Sequence, residues 1–352
     1  MEVSANARRG LAAGLGGGVV GVAFVGTGRV SALHARGVAG SSCARLVGAF
    51  SLDGAEALRR WCAGPGGGCA AYASLEELLG DARTSCVFVL TPLSSHLPVA
   101  QRCLEAGKHV LVEKPVCATA AELVALQRLA AQHDRLVAPG HNYVYDARLE
   151  AMRAAARSGQ LGKLTTVAVL YNIRHSEELV AQLPGVVEEI MTHHAYLSLF
   201  LTGERVHTVS CMTRPAAAGR VAVAHAMLQM QSGVVCMLQA SLISDDHSGD
   251  AWSFYVKVIG SEGAARYSYN DLVLNERNGE HSHTYAAYPA TVARQADHVL
   301  RFLAGAGPEP LSSLVDALEC RRVLDALRLS EREGRHVSPR QANYAPPASS
   351  LE

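Results

Sequence analysis

The feature that most limits what this chain can fold into is an alternation. Five short apolar runs, VVGVAFVG (19–26), RLVGAF (45–50), CVFVL (86–90), HVLVE (109–113) and LVAPGH (136–141), are separated by helical stretches such as AEALRRW, SLEELLG, PVAQRCLEAG and AAELVALQRLAAQH. Runs this short and this apolar suit strands buried on both faces, and strand–helix alternation predicts a parallel sheet covered by helices. Ser74 and Glu77 have capping-box spacing, which predicts a helix starting just after Ser74. From about residue 164 the pattern changes. LTTVAVLYNIRH, VHTVSCMTR, VAVAHAMLQMQSGVVCMLQASL and WSFYVKVIG…AARYSY are long, partly alternating segments with turns at Gly233 and at Gly260 and Gly263. They predict a second domain built on an antiparallel or mixed sheet. One helix interrupts it near 187–203, and helices return at 291–304 and 312–332.

The first strand runs into Gly26-Thr27-Gly28-Arg29-Val30-Ser31. A loop that cradles a dinucleotide needs its first glycine for the turn and its second so that backbone can approach the pyrophosphate. A small third residue, here Ser31, lets helix and strand pack closely. The helix that follows offers free N–H groups to the phosphates. In isolation GxGxxS is only a tight turn; after a strand and before a helix it predicts a cofactor loop formed by Gly26, Thr27, Gly28, Arg29 and Val30. The second strand ends at Ser51, with Leu52 and Asp53 beyond. An NAD enzyme would carry an acid at that tip for the adenosine ribose. Ser51 removes a charge that would repel a 2′-phosphate, yet no arginine stands beside it to welcome one. Asp53 reads as a helix N-cap. NAD and NADP both remain open.

The fourth run ends in Glu113-Lys114-Pro115. An isolated Glu-Lys at a strand end is a solvated charge pair. The chain, however, holds 28 arginines and only four lysines, so an amine kept at this place hints that its titratable proton is wanted. The remaining composition excludes more than it identifies. At 352 residues, 49% apolar and 18% charged, the chain can bury a full core. Its formal net charge is zero, which gives no sign of nucleic-acid binding or of a membrane-surface role. No run of 18 apolar residues occurs, so no membrane-spanning helix is expected. Nine irregularly spaced cysteines without a CxxC pair point to reduced thiols in a cytoplasmic protein, and the Arg/Ala/Gly-rich composition is that of a GC-rich genome.

Taken in order, GTGRVS, YASLEELL (72–79), TPLSSH (91–96), EAGKHVLVEKP (105–115), SGQLGKL (158–164) and EEIMTHHAYLSLFLTG (188–203) resemble the Gfo/Idh/MocA oxidoreductases. The resemblance covers about residues 19 to 340. It implies an α/β chain: a flexible leader (1–18), a Rossmann domain with a parallel sheet (19–141), an α/β domain with a large open, mostly antiparallel sheet (142–340) and a tail (341–352). That open sheet would join homodimers or homotetramers. The implied activity is hydride transfer between NAD or NADP and a secondary alcohol or ketone of a sugar, aminosugar or cyclitol, in some relatives for natural-product sugars.

The resemblance also implies site residues. Thr91, Pro92 and His96 would line the cofactor site, Glu113 would hold the nicotinamide ribose, and Lys114 would touch both cofactor and the reacting hydroxyl. Asn142, Tyr143 and Tyr145 fall where relatives line the substrate pocket, although core packing would explain the two tyrosines equally. The family's Asp-x-x-x-His appears here as Glu189-Ile190-Met191-Thr192-His193. On an α-helix, i and i+4 share a face, so Glu189 can orient the imidazole, and a histidine of pKa about 6.5 suits proton exchange near neutrality. Tyr196 stands where many relatives have an aspartate; a phenol there can donate a proton or simply pack. His194 reads as structural, and no third ligand at a recognisable spacing supports a metal site. Two rivals share the fold: an NAD-dependent glycosidase with no net redox change, and a non-catalytic cofactor-binding regulator.

Overall fold

The computed structural model describes residues 19–216, 219–244, 252–268, 283–340 and 342. The expected leader and, residue 342 apart, the expected tail lie outside them. Two compact units form: residues up to Tyr145 together with Ala290–Ala317, and Asp146–Pro289 together with Leu318 onward. Residues 290–317, which the sequence places with the second domain, thus fall within the first unit.

The first unit is a six-stranded parallel sheet. Its strands are β1 (Val20–Val25), β2 (Ala44–Phe50), β3 (Ala70–Ala71), β4 (Cys86–Val89), β5 (His109–Val112) and β6 (Val137–Pro139). Their order is β3-β2-β1-β4-β5-β6, the doubly wound arrangement of dinucleotide-binding sheets. Every residue of β1, β4 and β5 is buried, as helices on both faces require. The connecting helices are α1 (Ser31–Gly40), α2 (Ala55–Ala63), α3 (Leu75–Gly80), α4 (His96–Glu105) and α5 (Ala120–Gln132). Ser74 caps α3, accepting from the Glu77 N–H at 3.1 Å, as its spacing predicts. Phe24 and Phe88 stack across β1 and β4 at 5.3 Å, a contact worth about 0.5–1.5 kcal/mol beyond burial.

The second unit opens with α6 (Ala147–Arg157) and carries β7 (Leu164–Ile173) and α7 (Glu177–Gln182). A π-helical turn, Val187–Met191, then feeds α8 (Thr192–Thr202). The strands β8 (Val206–Pro215), β9 (Val221–Met230), β10 (Val235–Ser241), β11 (Trp252–Gly260) and β12 (Ala264–Ser268) complete a sheet of order β12-β11-β7-β10-β9-β8. Only β7 and β10 run parallel, so the sheet is mixed and mostly antiparallel, as expected. Along β9 buried and less buried residues alternate, the signature of a sheet with one packed face. On its other face Met212, Met227 and Met237 are exposed, with Met227 paired directly to Met237. Two long helices, α9 (His283–Leu303) and α10 (Leu314–Glu333), close the chain.

The return of α9 into the first unit rests on close contact. A Cβ built on Gly37 of α1 would lie 2.8 Å from the Ala293 Cα and 3.0 Å from the Ala296 Cβ, whereas one on Gly40 would meet nothing within 4 Å. Overpacking of such a contact costs about 1–3 kcal/mol. Gly37→Val is therefore expected to lower the urea midpoint clearly, while Gly40→Ala leaves it unchanged or slightly higher. Equal midpoints would show that α9 does not pack on α1.

Candidate functional site

The glycine loop sits where three strands of the first unit end. Gly26 donates its N–H to the Phe50 carbonyl at 2.8 Å and has φ +98°, a backbone conformation that disfavours side chains. Any Cβ there would lie 2.7 Å from the Leu90 carbonyl oxygen. Gly28 is exposed, and its built Cβ meets nothing within 4 Å. Space is therefore kept open over Gly28, while Gly26 is fixed by its neighbours. The buried Ser31 is more than small: its hydroxyl donates to the Gly28 carbonyl at 2.6 Å. The start of α1 has no side-chain cap and no acid in its first turn; its Ser31 and Leu33 N–H groups turn back to the Gly28 and Val30 carbonyls, so an anion placed there meets the positive end of the helix with no competing side chain.

At the tip of β2 one expectation is corrected. Asp53 is not the N-cap of α2. That position belongs to Gly54, at φ +98°, and no side-chain cap bond forms there. The glycine turn leaves Asp53 one residue too early, and its carboxylate instead accepts from Ser51 Oγ at 2.7 Å and from Thr27 Oγ1 at 3.4 Å.

The ends of β4 and β5 hold the next group. The Thr91 hydroxyl is buried and has no partner among the described residues, and Pro92 is exposed beside it. His96 is buried, with Nδ1 2.9 Å from the Pro115 carbonyl oxygen and Nε2 2.8 Å from that of Thr91. Both ring nitrogens face backbone carbonyls, and the neutral ring donates to one of them at a time, so His96 sits between the two loops with a bond to either. Burial pulls its pKa below the ordinary histidine value despite those carbonyls. Glu113 continues β5, and its N–H donates to the Val89 carbonyl at 3.0 Å. Its carboxylate accepts from His34 Nε2 at 2.9 Å through Oε1 and from the Lys114 N–H at 3.0 Å through Oε2. Burial pushes this carboxyl's pKa up, but the His34 bond and the His34 and Lys114 charges outweigh it and hold the group below the usual carboxylate range. Lys114 is half-buried and precedes Pro115 through a cis peptide bond.

Sequence reasoning missed His34. It lies on the buried face of α1 with Ser31, Ala35 and Val38, edge-on to Phe24 and Phe88. A polar residue on an apolar helix face was the available signal. Gly140 was missed too; its Cβ would lie 2.9 Å from the Glu113 Cα, so only glycine lets β6 end against the Glu-Lys turn. Asn142 donates to Thr291 Oγ1 at 2.6 Å, and Tyr143 and Tyr145 are wholly buried.

In the second unit His193 and His194 start α8, directly after the π-helical turn that holds the half-buried Glu189. The i, i+4 argument for Glu189 assumes α-helical spacing, which the π turn replaces. The partner 2.7 Å from His193 Nδ1 is the hydroxyl of Tyr196, one turn on. His193 is also stacked on Tyr171 at 6.2 Å and edge-on to Tyr196, and all three are buried. His194 is fully buried, and burial alone pulls its pKa down to about 3, so it stays neutral. α10 braces this segment. Arg328 donates to Glu188 of the π turn, with Nε 3.0 Å from Oε1, and the Cys320 thiol donates to the Thr192 carbonyl at 3.4 Å. Among the described residues no group of three or more His, Cys, Asp or Glu is placed to hold a metal.

Residues 20–141 match the Gfo/Idh/MocA oxidoreductase family described as having an NAD-binding Rossmann fold, and residues 149–266 match the Gfo/Idh/MocA C-terminal domain. The chain belongs to the Gfo/Idh/MocA family. It is 32% identical over 205 residues to inositol 2-dehydrogenase 1 of Saccharopolyspora erythraea, covering 56% of this chain and 60% of that one. It is 32% identical to dTDP-3,4-didehydro-2,6-dideoxy-alpha-D-glucose 3-reductase of Streptomyces violaceoruber, over 30% of this chain and 31% of that one. The chain thus spans less than two thirds of the length of either relative. The scyllo-inositol dehydrogenase of Lactobacillus casei, solved with NAD(H) and scyllo-inositol, shares the fold at a TM-score of 0.80 and 19% identity, over 92% of this chain and all of that one.

The residues present fit an NAD(P) dinucleotide. The uncapped start of α1 and the open space over Gly28 suit a pyrophosphate, and the unpartnered Thr91 hydroxyl offers a further polar contact. Gly28→Val is expected to fold with a near-normal melting temperature yet lose dinucleotide binding by calorimetry. Gly26→Ala should instead destabilise the fold itself. Unchanged affinity in Gly28→Val would detach the loop from the cofactor.

Proposed function

We propose that this chain is an NAD(P)-dependent oxidoreductase acting on a secondary alcohol, or the matching ketone, of a sugar, aminosugar or cyclitol. The observation that carries this reading is an intact Glu113-Lys114-Pro115 strand end in one family domain together with a buried, hydrogen-bonded His193 in the other. The relatives named above, which act on inositol and on a deoxysugar, support the substrate class. When bound, the nicotinamide supplies or accepts the hydride. In this reading Glu113 holds the nicotinamide ribose, and Asn142 and Glu189 contact the substrate, while the wholly buried Tyr143 packs in the core. Lys114 and His193 hold and move the proton of the reacting hydroxyl. The lysine offers donors to a developing alkoxide, and the imidazole has a second ring nitrogen, beyond the one that Tyr196 meets, with which to exchange a proton. Tyr196 orients the ring through Nδ1.

The test is a sugar and cyclitol panel followed by nicotinamide absorbance, with bound cofactor identified by mass spectrometry. Positioned acid–base groups contribute about 10²–10⁴-fold, so Lys114→Met and His193→Ala should each lower turnover by that order. His193→Ala should keep its dinucleotide affinity, and Tyr196→Phe should lower kcat more than it raises KM. Near-normal turnover in His193→Ala would end this assignment of the proton. Sugar release without net NAD(P)H would mark a glycosidase, and cofactor binding without any turnover a regulator.

We also infer that the open sheet face pairs with that of a second copy, giving a homodimer or homotetramer. Met212, Met227 and Met237 support this, since contiguous exposed apolar residues mark interaction surfaces and methionine packs adaptably. Met227→Lys with Met237→Lys should shift the mass in light scattering toward the monomer; an unchanged mass would place the contact elsewhere. The nine free thiols support a reducing compartment such as the cytoplasm.

A further inference from the structure

We propose that Arg328, on α10, is a positioning residue: by holding Glu188 it keeps the π turn wound and so sets the ring of His193. The inference rests on the reading that His193 exchanges the substrate's proton. Single π turns are rare and tend to mark functional sites. This one, Val187–Met191, ends two residues before His193 and is supported from outside at its entry, its middle and its exit. Gly185 enters it at φ +111°, and a Cβ built there would lie 3.3 Å from Arg328 Nη2 and 3.4 Å from the Val221 carbonyl oxygen. Within the turn both carboxylate oxygens of Glu188 accept from Arg328, Oε1 from Nε at 3.0 Å and Oε2 from Nη2. At the exit the thiol of Cys320, about two turns earlier on α10, donates to the Thr192 carbonyl at 3.4 Å.

Arg328 is itself fixed from behind. Its Nη1 donates to Glu331 Oε2 at 3.3 Å, and Thr213 Oγ1 of β8 donates to the other oxygen of that carboxylate at 2.7 Å. The Cys211 N–H of β8 donates to Ser330 Oγ at 3.1 Å. α10 is therefore locked to the sheet, and the guanidinium carries that register into the π turn. A bidentate fork fixes angle as well as distance, which an ammonium does not. Stability alone gives little reason for such a pair, because packed apolar side chains commonly match a buried ion pair. Direction gives a better one. Two residues past the turn the His193 ring stands 2.7 Å from the Tyr196 hydroxyl and is stacked on Tyr171. Without the fork the turn is free to rewind, and the ring loses that placement.

Two variants of the full chain separate positioning from stability. Arg328→Lys keeps the charge without the fork. Glu188→Leu combined with Arg328→Met replaces the pair by apolar side chains, and should fold with a urea midpoint at or above that of the wild type. The first readout is the His193 ring signal in ¹H–¹⁵N spectra of histidine-labelled protein at a single pH, assigned by its loss in His193→Ala. Both variants are expected to move that signal, while NAD⁺ affinity by calorimetry stays that of the wild type, because the dinucleotide loop belongs to the other unit. The second readout is turnover with scyllo-inositol, or with the panel compound that takes its place. There kcat should fall about 10- to 10²-fold with KM changed less, the scale of a small misplacement of a reacting group. An unmoved His193 signal in the apolar double variant, or wild-type kcat in Arg328→Lys, would overturn the proposal. A chain that turns over nothing in the panel but shifts its His193 signal would refute the proposed activity and leave Arg328 its positioning role.

Discussion

The hydrogen bond from His34 to Glu113 is the constraint on which the first unit's candidate site depends. β5, a strand buried along its whole length, ends by delivering two charged side chains, Glu113 and Lys114. Glu113 is accommodated because both carboxylate oxygens are engaged, one by the imidazole and one by the next backbone N–H. A buried polar group left without its partner costs about 1–3 kcal/mol, so histidine and glutamate fix each other. The consequence is spatial. His34 rides on α1, the helix whose uncapped start faces the phosphate loop, while Glu113 ends β5. One hydrogen bond therefore ties the pyrophosphate end of the dinucleotide loop to the Glu-Lys turn, and His96 adds a second tie through the carbonyls of Thr91 and Pro115.

Much of this fold was legible because buried parallel strands leave a plain trace: short apolar runs that end in glycine or charge. The five apolar runs became β1, β2, β4, β5 and β6. β3 is two alanines at the sheet edge, too short for any periodicity. The open sheet was readable from alternation, since one face is packed and the other is not. What the sequence hid was destination. The apolar face of α9 says that it must be buried but not on which sheet, and Gly37 of α1 is what receives it. The π turn was hidden for a similar reason. An apolar pattern tolerates an extra residue per turn, so VVEEIMTHHAYLSLFL reads as one helix while Val187–Met191 is wound differently.

The candidate site was legible where unusual residue types mark it and illegible where hydrogen bonds assemble it. One of only four lysines in an arginine-rich chain stands out. His34 does not, because α1 is a small-residue helix and one buried polar residue there looks incidental until its partner, 79 residues away, is in view. Asp53 shows the opposite failure. An acid just before a helix has a ready local explanation as a cap, and only the positive φ of Gly54 shows that the cap is filled otherwise.

Tyr196 shows how a departure from a family pattern can be absorbed without loss of order. A carboxylate beside an imidazole can only accept, and once the ring is neutral a buried carboxylate depends on other partners. A phenol can donate to an unprotonated Nδ1 or accept from a protonated one by rotating its hydrogen. The 2.7 Å contact with His193 can therefore persist through a change in ring charge without burying a net charge of its own. Charge is instead held in pairs made by α10, where Arg328 meets Glu188 and Arg321 meets Asp325, partly or fully buried. Burial there pushes Asp325 up to about 6 against the pull of Arg321, so ionising it carries a cost that the guanidinium only partly offsets. Such pairs add little net stability compared with well-packed apolar residues. What they add is direction: Glu188 fixes the π turn, Cys320 fixes Thr192, and His193 follows at the next residue with its ring already held between two tyrosines.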